Sequence, residues 1–156
     1  MTDGGGLTYA AVLEKASRFA SWLAARDVRP GSRVVLALGK VLLAQLPPDE
    51  LDIRLSARPL ERMTDQSITD PAELRRQLDD VRAAGVAWEQ CESNPDVACV
   101  AAPVWNAQGE NVAAMSISAP ATRVTPERRE VLSALVTGGT RKLSGLLGYS
   151  PRRSAM

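Results

Sequence analysis

Two turn signals, Asn94-Pro95-Asp96 and Asn106-Ala107-Gln108-Gly109, constrain this chain more than any other feature. Each is too short to hold a crossover helix, so the apolar runs that they separate must pair antiparallel. Those runs are Val86–Glu92, Val97–Trp105 and Asn111–Ala119. Read in order they form a three-stranded meander. Along the last run Ala114, Ser116 and Ser118 face one way, and Met115 and Ile117 the other, because strand side chains alternate.

Helix signals flank the meander. Asp70-Pro71-Ala72-Glu73 offers a capping side chain, a proline at the first helical position and an acid at the third. Leu74, Leu78 and Val81 follow as a buried stripe, and Gly85 ends the helix. Thr125-Pro126-Glu127 opens a final helix, expected to be lined by Val131, Leu132, Leu135, Val136, Leu143, Leu146 and Leu147, with a weak point at Gly138-Gly139. Upstream, Pro48 with Asp49 and Glu50 starts a helix to about Ser56. Ala57 to Ile68 reads as loop or irregular strand. Leu7 to Ala25 reads as an amphipathic helix, Arg33 to Leu38 as a strand and Lys40 to Leu46 as a short helix. Long helices around an antiparallel meander predict an α+β fold, not a parallel doubly wound sheet.

Composition narrows the chemistry. Histidine is absent from the 156 residues. That removes Ser-His-Asp and Cys-His nucleophile pairs, histidine-ligated zinc and histidine general bases. Net charge is +1, from 19 basic and 18 acidic residues, so the basic footprint of a nucleic-acid reader is missing and no direct DNA contact is expected. No run is apolar enough to span a bilayer and the first residues lack a signal-peptide pattern, so a cytoplasmic chain without membrane partners is expected. Cys91 and Cys99 fit that compartment as free thiols, with a bridge between them the alternative. They are spaced too widely for a chelating pair, and neither a metal nor a cofactor is expected.

Several unlike segments resemble one family. Gly39-Lys40-Val41-Leu42-Leu43-Ala44, Ser67-Ile68-Thr69-Asp70-Pro71, Glu89 with Glu92, Cys99 through Val104, Ala113 through Pro120 and Thr125-Pro126-Glu127-Arg128 follow the order and spacing of the effector-binding domain of IclR-type transcriptional regulators. The resemblance runs from about Leu38 to Gly148 and matches the second half of that domain. It implies a partial twisted antiparallel sheet with packed helices, similar to GAF and profilin-like sensors. It also implies a homo-oligomer and a small organic acid effector, held by Leu38, Gly39, Glu89, Cys99, Ser116 and Ser118. Two hydroxyls at alternate positions of one strand face can both donate to a carboxylate, and the helix start at Gly39 favours an anion. Taken without the family, Ser116 and Ser118 read as a solvated sheet face, Cys99 as a small core residue and Glu89 as an exposed strand charge.

The chain departs from that family at Asp96, where glycine is usual, at Ala98, where arginine is frequent, and before Gly39. Leu7-Thr8-Tyr9-Ala10 through Gly31-Ser32-Arg33-Val34 resembles the N-terminal region of acyl-adenylate-forming enzymes instead, with Ala11 and Ser32 in place of two acids. The expected organisation is therefore an extension over 1–37, an effector domain over 38–150 and a tail over 151–156. Three functions compete. An effector-sensing module without its own DNA reader fits best. A scaffold or remnant with an empty pocket shares its fold. An adenylate-forming enzyme needs a phosphate loop, for which Thr137-Gly138-Gly139-Thr140-Arg141-Lys142 is a poor substitute inside a helical pattern.

Overall fold

The computed structural model describes residues 37–151. The helix expected over Leu7 to Ala25, the strand residues before Ala37 and the tail from Arg152 lie outside the described residues. Among the described residues the order is α1 (Ala37–Ala44), α2 (Pro48–Ser56), α3 (Pro71–Ala84), β1 (Ala87–Gln90), β2 (Val97–Trp105), β3 (Asn111–Pro120), a single 3-10 turn (Ala121–Arg123) and α4 (Pro126–Leu146).

Ala37 and Leu38 belong to α1 and do not end a strand. The buried residues Ala37, Lys40, Val41 and Ala44 fall at helical spacing. A short apolar run carries no period that separates strand from helix, so the sequence pattern misassigned these two. α3 follows its signals closely. Asp70 accepts a hydrogen bond from the Ala72 amide at 2.9 Å, Pro71 opens the helix, and Gly85 closes it in the left-handed region at φ 68°. Leu74, Leu78 and Val81 are buried as expected.

The three strands pair antiparallel in the order β1-β2-β3. β1 ends at Gln90, short of the end of the Val86–Glu92 run, because Cys91 adopts φ 58° and turns the chain, although its amide still donates to the Val97 carbonyl at 2.9 Å. The β2–β3 turn is built by Asn106, whose side-chain oxygen accepts from the Gln108 and Glu110 amides. Pro103, in β2, lies opposite Ala114 and beyond the last β1–β2 pair, Ala87 with Ala101. Its missing N–H therefore falls where β1 has already ended.

Two apolar clusters sandwich the sheet. Ala37, Val41, Leu51, Leu74, Leu78, Ala87 and Ala101 form the larger, under α1, α2 and α3. Val100, Ala102 and Val136, with Trp88, Met115, Ile117 and Leu132 against them, form the smaller, under α4. α4 runs unbroken through Gly138-Gly139, where a weak point was expected. Its expected lining is also mostly wrong: Val131, Leu135, Leu143, Leu146 and Leu147 are exposed, and the buried residues are Val136, Thr140 and Ser144. The cause is close approach. A Cβ at Gly139 would stand 3.2 Å from the Met115 sulfur. One turn on, the Ser144 hydroxyl accepts from the Trp105 amide at 3.0 Å. Small residues let the helix sit near the sheet, and the leucines turn outward.

Candidate functional site

The register brings the expected polar residues into one transverse row. Glu89 is the β-partner of Cys99, and Cys99 is the partner of Ser118. Residues directly opposite across antiparallel strands share a face, so three strands contribute one side chain each. Cys99 Sγ and Ser118 Oγ are 3.0 Å apart. Ser116 lies in the adjacent row, opposite Ala101, and shares the face with Ser118. α1 crosses the same face, with Leu38 and Gly39 in its first turn and Leu38 packed against the larger core.

Glu89 is fully buried and is no exposed strand charge. Its Oε1 accepts from the Glu92 and Ser93 amides at 2.6 and 3.0 Å. Its Oε2 is buried with no hydrogen-bond partner among the described residues. Burial pushes the Cys99 thiol up from its ordinary value; the Ser118 hydrogen bond opposes this and nearby Glu89 reinforces it. Cys99 therefore remains a protonated thiol at neutral pH, with an S–H to donate.

The sequence reading missed the group that supports this row. Lys40 is 1% exposed, and its ammonium donates to Glu92 Oε1 at 2.5 Å, Gln77 Oε1 at 2.8 Å and the Trp88 carbonyl at 3.1 Å. Burial raises the Glu92 carboxyl above the usual carboxylate range, against the lowering effect of Lys40. Thr64 and Ser67 fasten the turn below, donating to the Cys91 and Glu92 carbonyls at 2.6 Å each. They hold Cys91 in its left-handed conformation, which costs a non-glycine residue about 1 kcal/mol or more. A signal for Lys40 existed, since it occupies the same helical stripe as Ala37, Val41 and Ala44.

A separate open cleft of about 460 Å³ lies at the other end of β2 and contains none of the expected site residues. Thr137, Thr140 and Ser144 in its wall donate their hydroxyls to the helix carbonyls of Ser133, Thr137 and Thr140. Arg82 there is held by the Ala44 carbonyl and Asp79. The donor-rich face with an open acceptor is the Glu89–Cys99–Ser118 row.

Comparison with known proteins follows the same line. Residues 31–145 match the family described as bacterial transcriptional regulator IclR, C-terminal. The chain belongs to the IclR family. The HTH-type transcriptional regulator BhcR of Paracoccus denitrificans is 39% identical over 129 residues, covering 81% of this chain and 46% of that protein. The crystal structure of the C-terminal domain of the Escherichia coli transcriptional regulator KdgR superposes with a TM-score of 0.68 at 35% identity, covering 72% of this chain and 69% of that one. A double mutant of the PobR transcription factor inducer-binding domain from Acinetobacter, solved as a 3-hydroxybenzoic acid complex, gives a TM-score of 0.64 at 30% identity, covering 73% of this chain and 63% of that one. The chain thus spans about half the length of the curated relatives it matches. These relatives are transcriptional regulators and not enzymes. The IclR match begins at residue 31, ahead of the boundary expected near residue 38. No helix among the described residues is long and apolar enough to cross a membrane, and none of them form a cluster of metal-ligating side chains.

Proposed function

We propose that this IclR effector domain senses a small organic acid that also carries a hydroxyl group, bound on the face of Glu89, Cys99, Ser116 and Ser118 under Leu38 and Gly39. The observation that carries the reading is the unpartnered Glu89 Oε2, fully buried beside the Cys99–Ser118 pair. A buried acceptor without a donor costs roughly 1–3 kcal/mol, and more if charged. A ligand hydroxyl donating to Glu89 removes that cost, while Ser116 and Ser118 donate to the ligand carboxylate. A plain carboxylate would leave Glu89 unsatisfied and set two acids against each other. The complex of the PobR double mutant supports the class, since 3-hydroxybenzoic acid bears both groups. Near-neutral charge supports a module that reads DNA only through an attached or partner domain.

Calorimetry on the purified chain tests this with 3-hydroxybenzoate and lactate against benzoate and propionate, and with ATP as the probe for the adenylate-forming alternative. The hydroxy acids bind and their deoxy counterparts bind far more weakly. Ser116→Ala with Ser118→Ala abolishes acid binding and leaves the melting temperature unchanged. Unchanged affinity in that double variant refutes the site, and a sound fold that binds no acid favours the scaffold reading.

A further inference from the structure

The open cleft at the far end of β2 arises from the sheet itself. β1 makes its last pair with β2 at Ala87 and Ala101, so Pro103 and Trp105 run on without a β1 neighbour. The space beside them is walled by Gln45 just past α1, by Arg82 near the end of α3 and by Arg141 of α4. At about 460 Å³ it falls within the range of small-molecule pockets. Among the described residues that line it, none is an acid.

Its polar groups divide into those already used and those left over. Thr137, Thr140 and Ser144 have spent their hydroxyl hydrogens on helix carbonyls, so they cannot donate to an anion. Arg82 donates from Nε to the Ala44 carbonyl at 2.5 Å and from Nη1 to Asp79, which does not line the cleft. Its fork is therefore held in place with the Nη2 hydrogens unused. The side chains of Arg141 and Gln45 and the Trp105 indole N–H have no hydrogen-bond partner among the described residues. What remains is cationic and rich in donors.

Charge and shape select the ligand. A carboxylate presents its oxygens in one plane and is served by a single guanidinium, whereas a phosphate monoester offers three terminal oxygens and can pair with two. Arg82 and Arg141 come from different helices onto one cleft, which suits the second geometry. A guanidinium already fixed, as in Arg82, loses little freedom on pairing. The rings of Trp105 and Tyr149, stacked with centroids 6.0 Å apart, and Pro103 beside them give apolar surface for the rest of the molecule.

We propose that this cleft is a second ligand site, which takes a small ring-bearing phosphate monoester. Calorimetry of the full chain with phenyl phosphate, inorganic phosphate and benzoate tests it. Phenyl phosphate binds more tightly than inorganic phosphate, and benzoate does not displace it. Arg141→Gln weakens phenyl phosphate about tenfold, the loss of one charge-assisted pairing. The melting temperature stays unchanged, because that side chain holds nothing else among the described residues. Tyr149→Leu narrows the preference for phenyl phosphate over inorganic phosphate. Ser116→Ala with Ser118→Ala leaves phenyl phosphate affinity as it was, so this site stands or falls apart from the effector row. Equal affinity of the parent for the two phosphates, or indifference to Arg141→Gln, means an adventitious ion only and overturns the proposal. Loss of phenyl phosphate binding in the serine double variant puts the ligand on the effector row and overturns it as well.

Discussion

Replacing Lys40 by methionine keeps most of the side-chain volume and removes the charge. The ammonium is 1% exposed and the Glu92 side chain 13%, so the pair is shielded from water on both sides. Breaking a buried pair from one side costs about 3–5 kcal/mol, because the other charge stays buried without compensation. The residual exposure of Glu92 places this case near the lower end, at about 3 kcal/mol. The Gln77 side-chain oxygen and the Trp88 carbonyl also lose a donor. For a domain of this size that loss lowers the melting temperature by roughly 10 °C. The double variant Lys40→Met with Glu92→Leu behaves differently. It removes both charges together with Glu92 Oε2, which is buried and unpartnered, so it recovers most of the loss or exceeds the parent. Urea denaturation of the parent, both single variants and the double variant closes the cycle. A Lys40→Met cost below about 1 kcal/mol would refute the reasoning, since the median for exposed pairs reaches that value. A double variant as unstable as the single one would show that the hydrogen-bond network, and not the charge, sets the cost.

The ends of α3 give two further tests: Asp70→Ala costs about 1 kcal/mol through the lost cap. Gly85→Ala costs a comparable amount from its backbone alone, since its Cβ meets nothing within 4 Å; additivity of the two by denaturation checks both. Burial raises the Glu92 carboxyl, so the folded chain holds a proton there more readily than the unfolded one. Its contribution is full below the ordinary carboxylate range and is lost as pH rises through the raised folded value. Melting curves of parent and Glu92→Gln should therefore draw apart to the parent's disadvantage over that window, and parallel curves would contradict this. Cys99 should resist iodoacetamide at neutral pH and react only well above the ordinary thiol range. Ser118→Ala should slow it further, because the hydroxyl lowers that thiol; peptide-level mass spectrometry reads both rates.

Local chemistry was legible where one residue settled the backbone. Asp70, Pro71 and Gly85 fix the limits of α3, and Asn94 and Asn106 fix the two turns through their own side chains. The meander and its faces followed, because strand alternation leaves Ser116 and Ser118 together and Met115 and Ile117 apart. The row Glu89–Cys99–Ser118 could not be read from periodicity alone. Alternation gives a face within one strand, whereas the register across strands depends on turn geometry. The family pattern supplied it. The burial of Glu89 and Lys40 was hidden for another reason. A lone charge in a strand or helix reads as solvated; the partners of Lys40 stand 37 to 52 residues away in sequence, and those of Glu89 are backbone amides that only the turn after β1 folds back onto it. α4 misled because its leucines mark the outward side, and packing on the sheet is done by Thr140, Ser144 and Gly139.

Pro103 has a consequence for growth of the sheet. A one-residue slip of β2 against β3 that turns β2 over would move the proline nitrogen, which carries no hydrogen, into the shared ladder. Slipped registers are thereby penalised during folding. The same residue interrupts the open side of β2 past Ala101, so an added strand meets a gap in the row of donors there. The outer side of β3 has no such guard, since Asn111–Pro120 carries no charge and its only proline is the last residue. Among the described residues the two edges of the sheet are β1 and β3, and the uncharged ten-residue β3 is the longer template for an added strand.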